Sequence, residues 1–193
     1  MKSLFHIGLA LGFLTPLFSS CSGELPGDTE TKDPVRLREI LVTESNGLKI
    51  RTLQAENNPD IQIQEVTSSK PKHAVLSATG CETWAFAQFG INWVNRYGIH
   101  NQTGNAEACA AFPFACSSFA YADVILGICN NSSTDSVPAN LVLHGVTYSG
   151  GTISPNVWTA WHAANNPHGK YAIQGAPNGA PANYDLLTGT SQN

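Results

Sequence analysis

Positive charge is scarce in this chain of 193 residues, where ten Lys and Arg stand against fourteen Asp and Glu. From His73 onward the only cations are Arg96 and Lys170, set against Glu82, Glu107, Asp123, Asp135 and Asp185. So few cations cannot neutralise a run of phosphates, which excludes nucleic acid as a partner. Long apolar runs are missing too: Leu4 to Leu14 is far shorter than a bilayer-spanning helix, and no second long one follows. Metal-ligand spacing is also absent. His162 and His168 with Asp185 fit no common zinc pattern, so neither a metal nor another cofactor is expected. What fills the second part of the chain instead is Asn, Ser, Thr and Gly. Such a neutral polar surface suits an extracellular protein and glycan-like ligands.

The first residues carry an address. Lys2 supplies a short basic start, the apolar run follows, and Phe18-Ser19-Ser20-Cys21 closes it with small residues before a cysteine. This resembles a bacterial lipoprotein signal. The resemblance implies removal of residues 1–20, lipidation of Cys21, and a protein anchored by lipid to the bacterial envelope, at the outer membrane or cell surface. The alternative is an ordinary signal peptide with Cys21 left to pair in a disulfide.

Residues 21–36 mix Gly, Pro, Asp, Glu, Thr and Lys without periodicity and read as a flexible tether. Within 37–72, Glu39 to Glu44 and Leu48 to Leu53 flank Ser45-Asn46-Gly47. Asn-Gly between β-rich runs is the strongest short hairpin signal. Ile61, Ile63 and Val66 suggest a third strand, and the region reads as a spacer hairpin or small added sheet. Residues 73–193 suffice for one compact domain with its own core.

In that domain Trp84, Ala87, Ile91 and Val94 share one helical face, while Phe86, Phe89, Trp93 and Tyr97 share another, which predicts a buried helix from Cys81 to a stop at Gly98. A second helix is expected over Ala106 to Ala120, kinked at Pro113. Strands are expected over Asp123 to Ile128, Asn140 to Tyr148 and Gly151 to Ser154. Helices first and antiparallel strands afterwards predict an α+β fold, N-terminal helices packed on an antiparallel sheet.

A thiol at a helix start, with a histidine and an amide arriving later on strands, is a minimal kit for nucleophilic acyl transfer. If Ser149-Gly150-Gly151 is a turn centred on Gly150, His144 and Asn156 lie opposite one another across the hairpin, where the amide can orient the imidazole. The order of landmarks resembles the CHAP family of cysteine-dependent amidases and peptidases. It is carried by Gly80-Cys81 with Trp84, Gly104-Asn105-Ala106, Ala122-Asp123-Val124, His144, Thr152-Ile153-Ser154, Asn156 and Trp158. That resemblance implies a papain-like arrangement of Cys81 as nucleophile, His144 as base and Asn156 as orienting amide. The substrate is then an amide in cell-wall peptide or peptidoglycan, with the helix N-terminus favouring the thiolate.

Cysteine counting supplies the rival. With Cys21 set aside, Cys81, Cys109, Cys116 and Cys129 make two disulfides in three possible connectivities. The hydrolase reading needs Cys81 free, with one bridge among Cys109, Cys116 and Cys129. The other function class is therefore a disulfide-stabilised surface lipoprotein that binds a glycan or host protein without catalysis. Trp158 and Trp161, with Tyr171 and Tyr184, are candidates for a sugar-stacking platform or for core.

Overall fold

The computed structural model describes residues 33–69, 78–110, 116 and 119–191. The expected signal sequence, Cys21, the expected tether up to Lys32, and Pro113 lie outside them. Among the described residues there are eleven strands and one helix, in the order β1 (Leu37–Ser45), β2 (Leu48–Ala55), β3 (Asn58–Ser69), α1 (Ala78–Ala87), β4 (Asn95–Gln102), β5 (Ala106–Cys109), β6 (Phe119–Asn130), β7 (Val137–Leu143), β8 (Val146–Ile153), β9 (Val157–Gly169), β10 (Ala172–Gly175) and β11 (Tyr184–Thr190). A seven-stranded sheet runs β1-β2-β3-β9-β6-β11-β4 and a four-stranded sheet runs β5-β10-β7-β8. Every strand pairing in both is antiparallel. The expected α+β fold of helices on a sheet is therefore corrected to a mainly β architecture.

Strand alternation builds the two layers. On β6, Val124, Leu126 and Ile128 point into the main core, where they meet Leu141, Leu143 and Tyr148 of the small sheet and Trp161 of β9. Ile125 and Cys129 point the other way and are covered by α1 through Cys81, Ala85 and Phe86. Helix α1 thus roofs the outer face of the large sheet, with Trp158, Ala160 and Leu187 beneath it.

The expected long helix ends early because Gly90 adopts φ 65°, the left-handed conformation that closes helices. The chain then re-enters the sheet as β4, passing straight through Gly98, the position expected to stop a helix. A side chain there would collide with Glu82 and His100. The second expected helix begins as a strand: β5 pairs with β10, Ala108 opposite Ile173. The Asn46-Gly47 hairpin forms as read, with φ 52° and 76°. Its strands do not stand apart as a spacer, because β3 pairs with β9 from Ile63 opposite Ala163 to Ser69 opposite Val157.

Candidate functional site

Cys81, the expected nucleophile, is disulfide-bonded to Cys129 of β6, with the two Cα atoms 6.2 Å apart. Both residues are buried under α1. Cys109 is bonded to Cys116, Cα to Cα 5.2 Å. Of the three connectivities open in the sequence, the chain adopts 81–129 and 109–116, and no cysteine among the described residues is a free thiol. Beside the second bridge, Glu107 accepts from Lys170 Nζ at 2.9 Å and from Gln174 Nε2 at 2.6 Å. The carboxylate beside these two bridged sulfurs is held by an ammonium and an amide.

His144 is not on a strand. It forms with Gly145 the two-residue turn between β7 and β8, at φ 55° and 80°, mirror-image turn geometry that matches the twist of the strands. Asn156, at φ 56°, sits in the turn between β8 and β9, where its backbone N–H donates to the Ser132 carbonyl at 3.0 Å. The eight residues of β8 separate the two, a span of roughly 25 Å at the usual strand rise. Ser149-Gly150-Gly151, expected as the turn, lies inside β8. There the register shifts between Ala139 and Asn140, and Gly150 packs against the Ala139 carbonyl and the Trp161 ring. Cys129 pairs with Trp158, two residues beyond Asn156, so the Cys81 bridge lies toward the end of β8 away from His144. The structure brings none of Cys81, His144 and Asn156 together as a catalytic set.

Other residue groups resolve as architecture. Trp158, Trp161, Tyr171 and Tyr184 are all buried and form core rather than an open stacking surface. His162 Nε2 bonds Asp123 Oδ1 at 2.8 Å, and the Ser191 hydroxyl donates to Asp123 Oδ2 at 2.9 Å. That places a serine, a histidine and an aspartate together in the wrong order for catalysis, since the hydroxyl is bonded to the carboxylate and not to the imidazole. Asp185 is apart from His162 and accepts from Asn101 N–H and Asn131 Nδ2. The side chain of His168 lies outside the described residues. Glu65, buried inside the sandwich, accepts from Trp161 Nε1 at 2.8 Å, Arg51 Nε at 2.7 Å and Thr67 Oγ1 at 3.2 Å. It fixes β2, β3 and β9 to one another.

No protein-family model, curated protein or solved structure matches this chain.

The feature that reads as a site is a cleft of about 580 Å³ between the tips of two hairpins. One wall is the Glu56-Asn57 turn and the start of β3, contributing Asn57, Asn58, Asp60 and Gln62; the other is His144 with the start of β8. Leu143, Val146 and Ala163 supply apolar surface, with the Tyr148 ring at the base. The Tyr148 phenol is pushed above its ordinary pKa by burial, and a hydrogen bond with the Asn57 side chain works in the opposite direction. His144 Nδ1 shares a hydrogen bond of 3.2 Å with the Tyr171 hydroxyl, and burial lowers its pKa from 6.5, favouring the uncharged ring. Among the described residues the cleft is thus lined by amides, a phenol, an imidazole and a single carboxylate, with no Lys or Arg. Sequence reasoning singled out His144 but missed the other wall, because Asn57, Asn58 and Gln62 belong to a segment that reads as spacer until β3 joins the large sheet.

Proposed function

We propose that this chain is an exported lipoprotein whose disulfide-stabilised β-sandwich binds a ligand at its surface without catalysing a reaction. The observation that carries this reading is the Cys81–Cys129 bond: a sulfur committed to a disulfide is not a thiolate, and no acyl-transfer step starts from it. The separation of His144 from Asn156 along β8 supports the same conclusion. Two disulfides fit an oxidising compartment, in keeping with the export address in the sequence. Anchoring rests on Cys21 within Ser19-Ser20-Cys21, and the ligand is a glycan or protein met outside the cell.

Two assays test the proposal. Purified protein is incubated with peptidoglycan and the released amines and fragments are quantified; release equal to that of the His144→Ala variant is expected. Release that is lost in His144→Ala and in Cys81→Ala alike would establish the hydrolase instead. Radiolabelled palmitate is expected to enter the wild type and not Cys21→Ala; equal labelling of both refutes the anchor.

A further inference from the structure

Building on the binding reading, we infer that the cleft between the Glu56-Asn57 and His144-Gly145 turns is a seat for an uncharged carbohydrate, one end of a neutral glycan chain. Charge is the first argument. Among the described residues no Lys or Arg lines the cleft, so phosphates, sulfates and acidic sugars meet no countercharge from them, and Asp60 repels them. The carboxylate of Asp60 is by contrast a strong acceptor for a sugar hydroxyl.

The second argument is the kind of polar group present. Each sugar hydroxyl both donates and accepts, and a side-chain amide does the same through its NH₂ and its carbonyl. Asn57, Asn58 and Gln62 bring three amides to one wall. Asn58 spends one acceptor position on the Asp60 N–H at 3.0 Å, an Asx turn that fixes the wall, and keeps its NH₂. Across the cleft, an uncharged His144 offers a ring nitrogen as donor or acceptor rather than a cation. Between the polar walls, Leu143, Val146 and Ala163 present the apolar surface that the C–H face of a pyranose needs.

A peptide strand fits less well. The outer edge of β8 at this point is already occupied: Ser149 N–H donates to the Val35 carbonyl at 2.9 Å, and Val35 N–H donates to Thr147 at 2.8 Å. The backbone groups that an added strand would use beside Tyr148 are taken. The volume, about 580 Å³, falls within the range of small-molecule sites, roughly 300 to 1,000 Å³. The cleft opens between two exposed turns, so a longer chain can extend outward.

The test uses the purified mature protein on an array carrying neutral and acidic glycans, followed by calorimetry with the neutral oligosaccharides N-acetylchitotriose, maltotriose and mannotriose. Binding to at least one neutral glycan is expected. Val146→Trp, which fills the cleft from a position 38% exposed, is expected to weaken it at least tenfold, and Gln62→Ala severalfold. Both substituted positions are exposed, and an unchanged thermal midpoint verifies that the fold persists. A silent array, binding confined to acidic glycans, or neutral-glycan binding unaltered in both variants overturns the inference. A peptide map of the same sample reads the broader proposal separately. An alkylated Cys81, or oligosaccharide cleavage, defeats the non-catalytic reading whatever the array shows, while intact bridges beside a silent array defeat only the sugar.

Discussion

The Cys81–Cys129 bridge has a measurable energetic signature that a catalytic cysteine would lack. It closes a segment with a sequence separation of 48, whereas Cys109–Cys116 closes one of only 7. Loop-closure entropy then predicts that deleting the long bridge costs about 4 kcal/mol and deleting the short one about 2.4 kcal/mol. The deletions are made in pairs, Cys81→Ala with Cys129→Ala and Cys109→Ala with Cys116→Ala, so that no buried thiol is left behind. For a chain of this size the corresponding falls in Tm are roughly 8 to 16 °C and roughly 5 to 10 °C. Thermal and urea unfolding, followed by far-UV circular dichroism in the absence of reductant, measure both. The 81–129 pair also pins α1 to β6, so its loss is expected to expose the apolar outer face of the large sheet and raise dye binding. A drop of less than about 1 kcal/mol for the long bridge, or a larger drop for the short one, refutes the reasoning, because the order follows from loop length alone.

Three further outcomes are expected. Glu65→Ala leaves Trp161 Nε1 and Arg51 without their shared acceptor and is expected to lower stability by about 2 to 3 kcal/mol, with Glu65→Gln losing less; unfolding curves that superimpose on wild type contradict this. Burial lowers the pKa of His144, so the unfolded chain takes up that proton first as the pH drops. The stability this group contributes is present above its ordinary value of 6.5 and lost below it. Urea unfolding at about pH 7.5 and about pH 5.5 is therefore expected to show a steeper loss for wild type than for His144→Asn, which also suits the positive φ of the turn. Tyr184, pushed up to about 12 by burial, donates to the carbonyls of Gly104 and Gly175. Its stabilising share is present below pH 10 and lost as pH rises from there toward 12, and Tyr184→Phe is expected to lose about 1 kcal/mol at neutral pH. Ultraviolet titration reads the phenolate directly, and a midpoint for Tyr184 near 10 would speak against the burial.

Local signals in the sequence were readable and long-range ones were not. Asn46-Gly47 declared its hairpin because both residues tolerate positive φ. The stretch Asp123 to Ile128, expected as a strand, is the middle of β6. The turn at His144-Gly145 was hidden because histidine is an unusual first residue for that geometry, while Ser149-Gly150-Gly151 imitated a turn. Gly150 is there because the Ala139 carbonyl and Trp161 leave little room for a side chain, and Gly151 because of its φ of 83°. This one displacement moved the apparent hairpin centre and created the false meeting of His144 with Asn156. The helix ran too long on paper because residues beyond Gly90, among them Trp93, are buried as well, so burial on all sides imitated a continuing helical core. Pairing of β3 with β9 joins residues about a hundred positions apart and leaves no local trace, so the cleft wall it positions was illegible.

The state of Cys81 is the most direct test of the whole account. Native, non-reduced mature protein is alkylated, digested and mapped by mass spectrometry. The account predicts no label on any of Cys81, Cys109, Cys116 and Cys129, with cross-linked peptides joining Cys81 to Cys129 and Cys109 to Cys116. Ready alkylation of Cys81 in freshly purified protein would contradict it and return the thiol to the role of nucleophile.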